Sequence, residues 1–306
     1  MSELEIIRHA KVGGISIFFD TVEYRTPHFH PEWELLWITE GTLSVNCGRE
    51  YADCGKGELC LFAPKELHEF RRSDDTATFL CLQVSPQLFS YAAPYLAAVR
   101  PAAFRLTGQL PEEEAEAVRQ GMKRIMSAYL AGGPYFELTC VGECAALFAH
   151  LLSALPLQRM SEGEIADADR RNERLSRFLS FVDANYAGKI TLEEFAKSEH
   201  CSVSYMSRFL RRNLNQSFQD YVNAMRFHHA CRLIAAGGKR MIDVCEESGF
   251  SDYRYFSGYF QKMCGMTPEE YRRKRPETAK AARTGSLHSV ERFYTKQESV
   301  SLLRSL

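Results

Sequence analysis

The 306-residue sequence lacks several features that would place it in common protein classes. No run of 18 or more apolar residues appears, which argues against a transmembrane helix. The ten cysteines form no C-x-x-C pair, so they indicate buried packing residues in a reducing compartment rather than a zinc cluster or a disulfide framework. MSELEIIRHA at the N-terminus is not a secretory signal, because it has acids where such a signal has basic and then apolar residues. These absences predict a cytoplasmic protein without a membrane partner.

A strong excess of one charge is also missing, since the formal net charge is −1. The charges are unevenly distributed, however. Residues 1–90 hold 8 Lys and Arg against 14 Asp and Glu, whereas residues 172–275 hold 17 against 12. The length and an apolar content of 45% indicate two domains. An acidic first domain and a basic second domain are expected if only the second binds phosphate groups.

Residues 15 to about 84 have the pattern of antiparallel strands. Short apolar runs such as ISIFFDTVEY, ELCLFAP and ATFLCLQV are separated by breaks rich in Gly, Pro and Asp. A sandwich or barrel is predicted, and its interior would hold side chains or one small ligand. Two helices follow, PEEEAEAVRQGMKRIMSAYLAG and FELTCVGECAALFAHLLSALP. The second helix is apolar on most of its circumference, so another subunit could cover its outer face. The first domain is assigned to residues 1–157.

Two segments have no clear pattern of their own. Residues 158–172, QRMSEGEIADADRRN from Gln158, are polar and lack periodic apolar residues, which predicts a linker. The tail 276–306 has only scattered apolar residues, which predicts disorder or a loosely docked helix. Residues 173–275 between them form the second predicted domain.

The second domain repeats a short helix, a turn and a longer helix. In TLEEFAKSEHCSVSYMSRFLRRNL, Thr191 and Glu194 form a capping box and Ser202 caps the next helix. That helix has an apolar side and a polar side, and arginine and serine can contact base edges and phosphates. The predicted DNA-facing residues of the first unit are Ser204, Ser207, Arg208, Arg211 and Arg212.

MIDVCEESGFSDYRYFSGYFQKMCGMTPEEYRR forms the second unit, in which Gly249 ends one helix and Ser251 or Asp252 caps the next. Between the units, SFQDYVNAMRFHHACRLIAAGG predicts a helix of about five turns that ends at Gly237 and Gly238. If the two units lie about 34 Å apart, both enter successive major grooves of one duplex. One amphipathic helix is ordinary, but two at a fixed separation favour DNA binding.

These residues resemble the AraC/XylS family of transcription regulators over about 85 residues, above all in GFSDYRYFSGYFQKMCGMTPEEYRR. The resemblance implies that Ser204, Ser207 and Arg208 face bases in the first unit. In the second unit it implies the same role for Asp252, Tyr253 and Arg254. Two positions depart from the family, since Gly258 stands where a basic residue is common and Asn215 where glycine is common. Asparagine tolerates the left-handed conformation expected at residue 215.

HFHPEWELLWITEG, at residues 28–41, and GELCLFAPKELHEF resemble the two motifs of the cupin effector-binding domain found in many such regulators. In metal-dependent cupins, residues in the positions of His28, His30, Glu34 and His68 bind the metal. Two imidazoles, a carboxylate and a distant histidine would suit Fe(II), Mn(II), Ni(II) or Zn(II). The alternative is a metal-free pocket in which the same four residues and Trp37 bind an organic effector, a sugar or a small carboxylate.

The predicted fold class is therefore α+β, with an N-terminal cupin-like β-barrel and associated helices before an all-α domain of two helix-turn-helix motifs. We expect a DNA-binding transcription activator and not an enzyme. It would have no cofactor, a small effector in the cupin, and helices around 112–155 that form a homodimer. Double-stranded DNA and RNA polymerase are the expected partners. Two alternatives remain: a metal-dependent cupin enzyme fused to a DNA-binding module, and a DNA-binding protein whose cupin is purely structural.

Overall fold

The computed structural model describes residues 11–48, 50–73, 76–91, 93, 95–274 and 290–306. Contacts divide the chain into two compact units between Glu173 and Arg174, and Glu291–Leu306 belongs to the first unit. The first unit combines a β-sheet with helices, and the second is built from helices. The predicted α+β class is confirmed.

An antiparallel, barrel-like sheet forms the first unit, with the strand order β4-β3-β6-β1-β7-β2-β5. Its strands are β1 Ile15–His28, β2 Trp33–Glu40, β3 Thr42–Cys47, β4 Glu50–Gly55, β5 Leu59–Phe62, β6 His68–Arg72 and β7 Ala77–Val84. The turn between β2 and β3 requires Gly41, which has φ +71°. A Cβ at this position would lie 2.5 Å from the carbonyl oxygen of Thr76.

The two faces of the sheet have separate cores because successive side chains of a strand point to opposite sides. On β2, Leu36 and Ile38 pack inside the barrel, whereas Leu35 and Trp37 belong to the outer core. Free cysteines fill space in both cores, as predicted, and eight of the ten in the chain are buried. The interior is thus the side on which a small polar cluster would be enclosed.

Two packed helices cover the outer face, α1 Glu112–Ala131 and α2 Phe136–Ala154. Glu112–Glu114 lie in the first turn of α1, where the helix dipole favours acids. Before α1 the chain forms short 3₁₀ helices at 86–89 and 96–98 and strand β8 Val99–Pro101, which pairs with β9 Leu157–Arg159 after α2. Within the described residues, α2 alone is long and apolar enough to cross a membrane, and its inner side is packed into the outer core.

Most of the segment predicted as a linker is helical. Helix α3, Glu162–Asn185, begins within it, and Glu164 accepts the backbone N–H of Ser161 in a capping arrangement. Ala168 and Asn172 occupy buried positions, and the Asn172 amide donates to the Lys65 carbonyl at 2.7 Å. This helix is not apparent in the sequence because a small residue and a polar one fill its inner positions, so no apolar periodicity is visible.

Among the described residues, the second unit contains the end of α3 and six further helices: α4 Leu192–Ser198, α5 Val203–Leu214, α6 Phe218–Ala236, α7 Met241–Glu247, α8 Tyr253–Cys264 and α9 Pro268–Lys274. The predicted capping box of Thr191 with Glu194 is present, Ser202 caps α5, and Asp252 rather than Ser251 caps α8. Helix α6 ends at Gly237 as predicted, after 19 residues or about five turns.

The end of the chain returns to the first unit. Strand β10, Val290–Phe293, pairs with β1, and α10, Lys296–Ser305, follows with Thr295 as its cap. Partly buried apolar residues of this segment pack against the outer core: Tyr294, Val300, Leu302, Leu303 and Leu306. Of the two alternatives predicted for the tail, 290–306 therefore follows the docked one, and the preceding residues 276–289 lie outside the described part of the chain.

Candidate effector site and DNA-binding helices

Four buried side chains meet inside the barrel: His28 at the end of β1, His30 in the following loop, Glu34 on β2 and His68 at the start of β6. Each residue offers one possible ligand atom, an imidazole nitrogen or a carboxylate oxygen, and these four atoms lie within 4.8 Å of one another. Residues spread over forty positions of sequence come together because β1 and β6 pair at His28 and His68, and a short loop leads from His28 to β2. The predicted cluster is thus assembled by the sheet.

Hydrogen bonds orient the imidazoles. Nδ1 of His28 donates to the carbonyl oxygen of Thr26, and Nδ1 of His68 donates to that of Glu66, both at 2.8 Å. A carbonyl can only accept, so Nδ1 carries the proton and Nε2 carries the lone pair of each ring. Nε2 of His30 lies 2.7 Å from Glu34, which also accepts a hydrogen bond of 2.8 Å from Gln83.

Burial sets the protonation of the cluster. Burial, followed by the nearby Arg25 charge, holds the pKa of His28 well below its usual range, and burial lowers the pKa of His68 to about 4. Burial would raise the pKa of Glu34, but hydrogen bonds and charge from its histidine neighbours lower it to about 2. At neutral pH the site therefore contains an ionised carboxylate on Glu34 and neutral imidazoles on His28 and His68.

This donor set fits a transition metal. Imidazole nitrogens and a carboxylate oxygen suit the metals named above, and the backbone acceptors behind His28 and His68 fix the rings as metal-site histidines are commonly fixed. The obstacle is Arg25, whose Nε donates to Nε2 of His28 at 3.0 Å. That nitrogen is the one His28 would offer to a metal, so metal binding requires Arg25 to move.

Trp37 does not join the cluster. It lies on the outer face of β2, where the ammonium of Lys123 on α1 sits 5.6 Å from the ring centroid. Trp33 packs on the same face against Phe148 of α2. We therefore remove Trp37 from the candidate effector residues, because the alternation of β2 that places Glu34 inside places Trp37 outside.

A cavity of about 750 Å³ lies beside the cluster at the barrel rim, and sequence reasoning missed it. Its lining includes Pro31, Glu32, Pro64, Lys65, Arg100 and Asp169. Glu32 connects it to the cluster, since its carboxylate lies 3.5 Å from Nδ1 of His30. The side chains come from distant loops and from α3, so no local motif marks the cavity. Its volume is suited to a small organic ligand.

The first recognition helix, α5, presents the predicted polar residues outward. Met206, Leu210 and Leu214 are buried along one side. On the other side Ser204, Arg208, Arg211 and Arg212 are exposed, and Ser207 is half-buried. Asn215 ends the helix with φ +54°, the left-handed conformation expected from the sequence.

Two of the three residues predicted in the second unit make structural contacts. Asp252 and Arg254 are both exposed, and the Asp252 carboxylate accepts the Tyr255 N–H at 2.7 Å as the cap of α8. The Tyr253 hydroxyl donates to Glu269, and burial with this bond raises the pKa of Tyr253. These contacts give Asp252 and Tyr253 structural roles in the helix-turn-helix.

Residues 203–214 and 253–264 form helices of equal length, 12 residues each, with nearly the same order of buried and exposed positions. Shifting Ser207, Arg211 and Arg212 by fifty positions leads to Ser257, Gln261 and Lys262, of which the last two are exposed. Sequence reasoning missed all three, although this repeat was the signal that could have found them.

Comparison with known proteins assigns both units. The AraC-like ligand-binding domain family matches residues 14–179, more than half of the chain, and a helix-turn-helix domain family matches residues 195–274. The chain belongs to the AraC family of transcription regulators. This assignment confirms the predicted resemblance, and it makes one unit a ligand-binding domain and the other a DNA-binding domain.

Two transcription regulators are similar to this protein over most of the chain. The uncharacterized helix-turn-helix-type regulator YdeC of Bacillus subtilis (strain 168) is 23% identical over 80% of this chain and 85% of its own. The transcriptional activator RhaS of Klebsiella pneumoniae (strain 342) is 23% identical over 81% of this chain and 87% of its own. Among solved structures, the C-terminal domain of the response regulator AraT from Geobacillus stearothermophilus covers 31% of this chain and 80% of its own, with 28% identity and a TM-score of 0.30.

Proposed function

We propose that this AraC-family protein is a transcription activator that binds a small polar effector through its barrel and reads DNA through α5 and α8. The observation that carries the proposal is the combination, in one chain, of two matching recognition helices and a buried polar cluster. The relative RhaS is described as an activator, which supports activation rather than repression. Such a protein acts in the cytoplasm, where it meets DNA and RNA polymerase.

In the DNA-binding unit, the proposed contacts are Ser204, Ser207, Arg208, Arg211 and Arg212 on α5 with Arg254, Gln261 and Lys262 on α8. Arginine pairs with guanine edges, and lysine, serine and glutamine contact bases or phosphates. Selection of bound duplexes from a random pool tests this role. We expect an enriched site with two conserved segments about one helical turn apart, whereas a pool that stays random would contradict the proposal.

For the effector, the proposed residues are His28, His30, Glu34 and His68, with the adjoining cavity at Glu32. Neutral imidazoles and an ionised carboxylate can exchange hydrogen bonds with sugar hydroxyls or orient a small carboxylate. Thermal melting with a library of sugars and small acids tests binding. An effector at 100 times its Kd should stabilise the fold by about 2.7 kcal/mol, whereas a purely structural barrel predicts no stabilisation by any compound.

Dimerisation is proposed through the outward face of α1 and α2. The apolar residues Tyr135 and Leu138 are 78% and 70% exposed there, which is unusual for large apolar side chains. Two copies that bind repeated DNA segments gain effective affinity from their linkage. Effector binding would then act by changing the affinity for DNA or the contact with RNA polymerase.

A metal-dependent enzyme is the second candidate, favoured by the inward Nε2 atoms and the ionised Glu34. His28, His30, Glu34 and His68 would hold the metal, which would supply Lewis-acid or redox chemistry when bound. Metal analysis by mass spectrometry, on protein purified without a histidine tag, distinguishes the two candidates. Near-stoichiometric metal that is lost in both His30→Ala and His68→Ala would favour the enzyme, and its absence from wild type would favour the organic effector.

A further inference from the structure

The returning end of the chain brings a buried carboxylate into the barrel. Glu291 on β10 is 1% exposed and pairs with Arg25 of β1, with 2.5 Å between the carboxylate and guanidinium. The neighbours of β10 are also on β1: the N–H of Tyr294 donates to the Phe19 carbonyl, and the Phe293 ring lies 5.3 Å from that of Phe18. The tail therefore forms part of the barrel wall.

Arg25 connects this tail to the polar cluster. Its Nη1 donates to Glu291, and its Nε donates to Nε2 of His28. His28 in turn lies against His68, with 4.2 Å between ring centroids. One guanidinium thus joins the candidate effector site to a segment that follows the DNA-binding unit in sequence.

We propose that Arg25 is an anion-binding residue of the effector site, that Glu291 is its internal ligand, and that a carboxylate-bearing effector replaces Glu291 and releases the tail. The inference rests on the proposed effector-sensing function and names the chemical class of effector. Release of Glu291–Leu306 would free the chain after α9 from its attachment to the barrel, and this carries the effector signal toward the DNA-binding unit.

The preference for a carboxylate follows from the burial of the pair. Taking a partner from a buried guanidinium is costly unless another anion replaces it, and a carboxylate supplies the same charge and the same type of acceptor oxygen to Nη1 of Arg25. A second carboxylate, Asp20, lies in the same region, where burial and the Glu291 charge raise its pKa. A neutral effector would not compensate Arg25 in this way.

Hydrogen–deuterium exchange of the tail, followed by mass spectrometry on the full chain, tests the proposal. The probes are acetate and propanoate, with acetamide and propanamide as neutral controls of matching shape at constant ionic strength. We expect the carboxylates, and not the amides, to speed exchange in 291–293 by about tenfold at saturation. No effect of the carboxylates, or an equal effect of the amides, would overturn the proposal without any need for a variant.

Two variants sharpen the comparison. In Glu291→Gln, the tail should exchange rapidly without any probe, and added carboxylate should not speed it further. Arg292→Gln is the matched control, since Arg292 neighbours Glu291 on β10 but its side chain is 55% exposed and pairs with Glu298. A Glu291→Gln tail as protected as that of wild type would contradict the inference. DNA binding by the same samples tests the proposed function separately. A wild-type protein that binds no specific DNA would contradict its role as a transcription regulator, but it would leave the inference about Arg25 and Glu291 standing.

Discussion

At the scale of residues, the buried histidines connect protonation to stability. His68 is neutral in the fold because burial lowers its pKa from 6.5 to about 4, so unfolding lets it take up a proton between these values. Glu34, held at a pKa of about 2, must likewise be ionised in the fold. Acidification therefore destabilises the first unit through the same side chains that form the candidate site.

The resulting prediction concerns pH. In metal-free protein, His68 contributes fully to the free energy of unfolding above pH 6.5. As the pH falls to 4 this contribution is lost, which lowers the free energy of unfolding by at most about 3 kcal/mol. Thermal melting between pH 7 and 4 should show this decrease, and His68→Gln should flatten it. His150→Gln is the control, because the His150 side chain is 42% exposed in the same unit. Equal slopes in wild type and His68→Gln would contradict the assignment.

Arg208 is expected to contact a base. Arg208→Ala should cost about 1–3 kcal/mol on the specific site and relax the preference at one base pair. Gel-shift titration on the site and its single-base variants measures both effects. Arg240→Ala is the control, since the Arg240 side chain is 80% exposed outside the recognition helices. An equal loss on every sequence would make Arg208 a phosphate contact.

Arg211, one turn further along α5, is expected to contact phosphate. Arg211→Ala should weaken binding on all sequences and reduce the slope of log K against log salt by about one. Titrations at several salt concentrations measure the slope. An unchanged slope would remove Arg211 from the interface.

At the scale of elements, the two helix-turn-helix units depend on turns that few residues tolerate. Gly249, between α7 and α8, has φ +89°, and a Cβ there would lie 2.7 Å from the Tyr186 carbonyl oxygen and from the Ala187 Cα. The backbone conformation and the close approach both require glycine. This turn sets the angle at which α8 leaves α7.

Gly249→Ala should accordingly destabilise the helical unit by more than about 1 kcal/mol, measured by urea unfolding. Gly258→Ala is the matched control in the same motif. Gly258 is helical with nothing within 4 Å of its Cβ position, so alanine should stabilise the helix by about 0.5–1 kcal/mol. A Gly249→Ala protein as stable as wild type would show that the turn can adjust.

At the scale of the whole molecule, the exposed apolar residues of α2 predict association. Leu138→Lys should convert the proposed dimer into a monomer, because a charge would replace an apolar contact at the interface. Sedimentation equilibrium measures the mass. Tyr91→Lys serves as the control, since Tyr91 is fully exposed outside α1 and α2. A wild-type protein that is already monomeric would remove this interface from the proposal.

The sequence by itself determined the features that depend on near neighbours. Helix caps such as Thr191 with Glu194, the glycines of the turns and the apolar side of α5 act over a few residues, so they were readable without a structure. The set of three histidines and one glutamate was predicted from the resemblance to the two cupin motifs, and the pairing of β1 with β6 brings His28 and His68 together.

Only the tertiary structure decided the features that join distant segments. Arg25 and Glu291 are 266 positions apart, and nothing local to either residue indicates their pairing. The cavity beside Glu32 likewise depends on which loops meet α3 at the rim of the barrel. The helix through 162–172 escaped prediction because its buried positions are held by small and polar residues, whose burial is favourable only against the surface they meet in the fold.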